Sequence, residues 1–137
     1  MEQEKLSLER NLTRVLSRLN YHIHTDAVKE HLIPPTLTAA QASKIYASEA
    51  DLLNVALFGK TAKEWASENP GKKGNIRDTA SIEQLVVLSN MESINALLIH
   101  QGLSQQERLL QLNAVAITQM RSLIQNNISG KLSLKGK

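Results

Sequence analysis

Phe58-Gly59-Lys60-Thr61 is the first stretch whose residue types suggest chemistry, because Gly-Lys-Thr closes the phosphate-binding loop of many nucleotide-binding proteins. That loop needs a further glycine five positions before its second one, to open the cradle for the phosphates. Asn54 stands there, inside a helical pattern and with no strand ahead of it. A glycine that ends one helix and a threonine that caps the next explain the same residues. His22, His24 and His31 raise a metal site. Residues two apart on a helix diverge by about 200°, so His22 and His24 converge on one ion only in an extended stretch. No carboxylate or cysteine cluster at ligand spacing accompanies them, so surface or capping histidines are expected, with no metal and no cofactor. His100, near the end of a helical pattern, reads as a partner of the helix dipole. Glu49 with Asp51, and Glu64 with Glu68, fall on helix surfaces, and most Ser and Thr residues fall at caps. No nucleophile, base and orienting group come together, so no catalytic residue is expected and the chain is read as non-enzymatic.

Gly71-Lys72-Lys73-Gly74 has the form of the loop with which KH domains hold a nucleic-acid backbone, but that fold needs a sheet and none is offered. Lys60, Lys63, Lys72, Lys73 and Arg77 form the one locally basic stretch outside the C-terminal tail. They are the candidate nucleic-acid contacts, and with the tail lysines they support an alternative reading as a direct, non-specific nucleic-acid binder. In Asn75-Ile76-Arg77-Asp78 a carboxylate precedes a capped helix, where it can satisfy free amides, and Arg77 can pair with Glu64 or Glu68.

The elements that position these residues are helical. Leu8, Leu12, Val15, Leu16, Leu19 and Ile23 make one apolar stripe at three- and four-residue spacing, with Glu9, Arg10, Arg14 and Arg18 opposite. A cap and restart near Thr25-Asp26 predicts a short second helix, Ala27 to Ile33, stopped by Pro34-Pro35. Thr38-x-x-Gln41 is a capping box for the next helix, Ser48 suggests a continuation from Glu49 to Phe58, and Gly59 closes it. Thr61-x-x-Glu64 opens a short helix around Trp65, and residues 70–76 form a loop. Ser81-x-x-Gln84 starts a helix to about Gln101 that is apolar on every side, so it is either the central core helix or carries surface awaiting a partner. Ser104-x-x-Glu107 caps a last helix whose stripe of Leu109, Leu112, Ala116, Met120 and Leu123 is broadened by Leu110, Ile117 and Ile124. The candidate partner interface drawn from these two helices is Val87, Met91, Ile94, Leu98, Leu110, Ile117 and Ile124. The lysine-rich tail, 129–137, is expected to be flexible. The fold class is therefore all-α, a compact bundle of five to seven helices forming one domain over 1–128.

Composition agrees. A chain of 137 residues has room for one good core. Aromatics are only 3% of it, which favours an aliphatic helical core and argues against a base-stacking platform for single strands. The net charge of +3 is small for a dedicated DNA-wrapping protein. The absence of cysteine removes disulfides and thiolate sites and is compatible with the cytoplasm. The longest strongly apolar run, Leu85 to Leu88, is far short of the ~20 residues of a membrane span.

Several segments of the chain carry a family resemblance. Arg10-Asn11-Leu12-Thr13-Arg14, residues 20–27 (Asn-Tyr-His-Ile-His-Thr-Asp-Ala), residues 45–54, Leu57-Phe58-Gly59-Lys60-Thr61-Ala62-Lys63 to Trp65, Gly74-Asn75-Ile76-Arg77-Asp78, Gln84 to Ala96, and Glu107-Arg108-Leu109 onward resemble bacterial and prophage KilA-N-domain proteins. The matching region is the one that follows the DNA-binding domain, and it spans nearly the whole chain except the tail. The resemblance implies association with a phage-type DNA-binding regulator, without transferring DNA-contacting or catalytic residues. It also implies either an excised piece of such a protein or a short gene lacking the reader domain. The expected function is an accessory module for self-association or protein contacts, with DNA reached through the absent domain or a full-length relative.

Overall fold

A computed structural model describes residues 2–125, and the side chains of Leu6, Glu9 and Arg10 lie outside that description, as does the tail expected to be flexible. The described residues are all-helical: α1 (Glu2–Leu32), α2 (Ala39–Phe58), α3 (Ala62–Glu68), a 3-10 turn (Ile76–Thr79), α4 (Ile82–His100) and α5 (Gln105–Gln125), with no strand among them.

The helix starts follow from local chemistry. Thr38, Thr61 and Ser81 each accept the backbone N–H three residues on, while Gln41, Glu64 and Gln84 reach back to the cap's own N–H. The Ser104 hydroxyl accepts from the Glu107 N–H at 3.2 Å. Gly59 ends α2 with φ at 79°, a left-handed conformation that favours glycine.

Two expected breaks are absent. α1 runs without interruption through Thr25, because that hydroxyl donates back to the His22 carbonyl at 3.1 Å instead of capping a new helix. Ala27 and Val28 just beyond it are buried, which keeps one continuous face on the bundle. α2 likewise runs straight through Ser48, whose hydroxyl accepts from Gln105 of α5. Side chains that look like caps in sequence are used for tertiary bonds.

α4 is the centre. It carries Val87, Leu88, Met91 and Leu98 into one cluster with Leu52, Leu53 and Ala56 of α2 and Leu112 and Ala116 of α5. On its other side Ala96 and Ile99 meet Ala27 and Val28 of α1. By length and composition α4 could cross a membrane, but half of that stretch is buried inside the bundle, as befits a core helix. α1 and α4 run parallel, since Asn20, His24 and His31 lie beside Ser89, Asn95 and His100 in turn. α2 and α5 also run parallel, through Glu49 with Arg108 and Asn113 with the Ala56 carbonyl. The α1–α4 register sets Ile82 level with about Thr13, the twelfth residue of α1. The first eleven residues of α1, roughly 16 Å at 1.5 Å per residue, therefore run past the start of α4.

Candidate functional site

The bundle's interior holds an ionic network that joins α1, α2, α4 and α5. Arg108 is carried inward in the first turn of α5 and Glu49 faces it from α2, both almost fully buried. The Arg108 Nη1 and Nη2 donate to Glu49 Oε1 and Oε2 at 2.5 and 3.1 Å, a two-pronged pairing. Nη1 also donates to Asn95 Oδ1 at 3.0 Å, and Nε to the Leu103 carbonyl at 3.2 Å. Asn95 Nδ2 donates to Glu49 Oε1 at 3.1 Å and lies 2.9 Å from His24 Nε2. Gln105 Nε2 donates to Glu49 Oε2 at 3.0 Å.

The electrostatics follow from these bonds. Burial alone raises the Glu49 carboxyl, but the bonds from Arg108, Asn95 and Gln105 outweigh it and hold Glu49 below its usual range. Burial pushes His24 down to about 4; Glu49 pulls it up, while Arg108 and Arg77 add to the fall. His24 is thus neutral at physiological pH, and its Nε2 accepts the Asn95 amide. Both Glu49 oxygens accept hydrogen bonds from within the network. Its geometry fixes the register of four helices.

Beside it opens a cleft of about 270 Å³ lined by Ser17, Arg18 and Tyr21 of α1, Arg77 of the 3-10 turn, and Leu85, Leu88, Ser89 and Glu92 of α4. Tyr21, Arg77 and Glu92 also border a smaller cavity of about 50 Å³ that reaches His24 and Glu49. Glu92 is only 4% exposed. Burial raises its carboxyl to about 7, against the partial opposing pull of Arg77. A carboxyl of that kind can exchange a proton near neutrality, but among the described residues no cleft hydroxyl is hydrogen-bonded to it as a nucleophile to its base.

The candidate basic contacts differ in their surroundings. Lys63, Lys72 and Lys73 are exposed, Lys60 is engaged by Glu68, and Arg77 is half-buried in the cleft wall. Glu64 is taken by the Thr61 cap, so neither acidic partner expected for Arg77 receives it. Asp78 accepts the Asn75 N–H at 2.7 Å, closing the corner ahead of α4. The histidines separate: exposed His22 pairs with Asp26 at 3.3 Å, His24 joins the network, and His31 meets His100.

The expected partner interface also divides. Val87, Met91 and Leu98 are buried in the chain's own core, and Ile94 is packed against it, so these four do not form a free surface. The core needs them because α4 is covered on three sides. Leu110, Ile117 and Ile124 are 70%, 49% and 64% exposed, on the opposite side of α5 from Leu112 and Ala116. Sequence reasoning missed the larger apolar surface: Leu8, Leu12, Val15, Leu16, Leu19 and Ile23 of α1 are 44–61% exposed. The available signal was the 4-3-4 spacing of Leu8, Leu12, Val15 and Leu19, which is that of a coiled-coil seam as much as of a core face.

Comparison with protein-family models, with curated proteins and with solved structures finds no match.

Proposed function

We propose that the chain is a non-enzymatic helical module that joins two copies of itself, serving a phage-type DNA-binding regulator of the KilA-N kind. The observation that carries this reading is the α1 seam, whose large aliphatic side chains stand half in water on a helix that runs past its neighbours. Burying a Leu, Val or Ile side chain fully stabilises by about 1.5–3 kcal/mol, so six half-exposed ones on each of two copies offer roughly 9–18 kcal/mol gross. Association costs about 4–15 kcal/mol, so the seam is of a size that can support a dimer. A paired α1 would also set the spacing of two attached DNA-reading domains, as dimeric helical DNA-binding proteins do.

Sedimentation equilibrium across a concentration series tests it. The intact chain is expected to dimerise by the micromolar range, and the Leu12→Asp/Leu19→Asp variant to stay monomeric with its helix content kept. A strict monomer at high micromolar concentration, or a dimer that persists in that variant, would overturn the reading.

A further inference from the structure

At the end of the bundle where α1 and α4 both finish, His31 Nε2 and His100 Nδ1 lie 2.6 Å apart, with the rings at an interplanar angle of 85°. The Glu30 Oε1 lies 3.9 Å from the same His31 nitrogen, and one ligand atom from each of the three residues falls within 4.8 Å of the others. We propose that Glu30, His31 and His100 form a binding site for a borderline divalent transition ion such as zinc.

Three features support this. The donor set, two imidazoles and one carboxylate, is one that zinc accepts while keeping a fourth position for water. The spacing is close to what coordination needs. Donor atoms at metal bonds of about 2.0–2.2 Å in a tetrahedron stand about 3.3–3.6 Å apart, so the two nitrogens open by about 0.7–1 Å, while the carboxylate closes by about 0.3–0.6 Å on His31 and by up to about 1.5 Å on His100. Glu30, His31 and His100 are all exposed side chains, so these shifts meet no packed core. The field is also favourable: the parallel packing of α1 and α4 brings two helix C-termini together, and each carries a partial negative charge that attracts a cation. The ion takes the place of the hydrogen bond between the two rings, each neutral ring then carrying its N–H on the nitrogen that does not ligate, and ties together residues 69 apart in sequence. This site is independent of the α1 seam, which lies toward the other end of the helix.

The test is titration of the full chain, carrying no histidine tag, with zinc chloride by calorimetry, with cobalt(II) as a visible-absorbance probe of the coordination geometry. One ion per chain is expected, with tetrahedral cobalt bands and an unfolding midpoint that rises with zinc; magnesium gives none of these, because it prefers oxygen donors. His31→Ala and His100→Ala are each expected to abolish binding, Glu30→Ala to weaken it tenfold or more, and His22→Ala to leave it unchanged. Circular dichroism checks that each variant keeps its helices. No zinc binding by the intact chain, binding retained in either His31→Ala or His100→Ala, or full affinity in Glu30→Ala would overturn the proposed site.

Discussion

Replacing Glu92 by glutamine should stabilise the protein at alkaline pH and do little in acid. Glu92 sits almost fully buried in the cleft wall with its carboxyl raised from 4.5 to about 7 by burial. A carboxyl whose folded value lies above its unfolded value opposes folding once it ionises. The penalty is absent below the unfolded value, grows through the window from 4.5 to 7, and is complete above it. At 1.36 kcal/mol per pH unit, the full penalty is about 3 kcal/mol. Linkage puts it at about 3 kcal/mol at pH 8 and under about 1 kcal/mol at pH 5. Glutamine cannot ionise and keeps the shape, so its advantage over the parent should shrink by roughly 2 kcal/mol between those two pH values. Glu49 has the opposite sign, since its lowered value removes stability as pH falls, but it is common to both proteins and cancels in the comparison. Urea denaturation followed by circular dichroism at pH 8 and pH 5 measures the difference. Equal or lower stability of Glu92→Gln at pH 8 would refute the reasoning.

Arg108→Leu leaves Glu49 buried without its ion partner and should cost about 3–5 kcal/mol in the same assay, whereas Glu49→Leu/Arg108→Leu should cost clearly less than the sum of the single changes. Gly74→Ala should cost about 1–3 kcal/mol, because Gly74 holds φ at +90° and a Cβ there would stand 2.2 Å from Asp78 Oδ2. That collision breaks the bond from Asn75, so hydrogen exchange at the Asn75 amide should accelerate along with the loss of stability.

The sequence by itself determined what is local. Each Ser/Thr-x-x-Glu/Gln box needs only four consecutive residues to bond, so the starts of α2, α3 and α4 were legible before any packing was known. The all-round apolar character of Ile82 to Ile99 left two readings, a core helix or one with surface awaiting a partner, and the fold buries half of the helix while Ile82, Leu85, Val86 and Leu97 stay exposed. The same local rules misplaced Thr25 and Ser48. A hydroxyl that can cap can equally bond back to its own helix or to another, and the buried faces on either side decided between them. Tertiary structure alone decided which apolar stripes are covered. Periodicity identifies a face but not what lies against it, so the α1 stripe reads as core in sequence and stands in solvent in the fold. It alone also brought Glu49 to Arg108 across 59 residues, Asn95 to His24 across 71 and His31 to His100 across 69. The candidate chemistry of this chain lies in such pairs. No spacing rule reaches that far, because the parallel register of α1 with α4, and of α2 with α5, is set by the whole core at once.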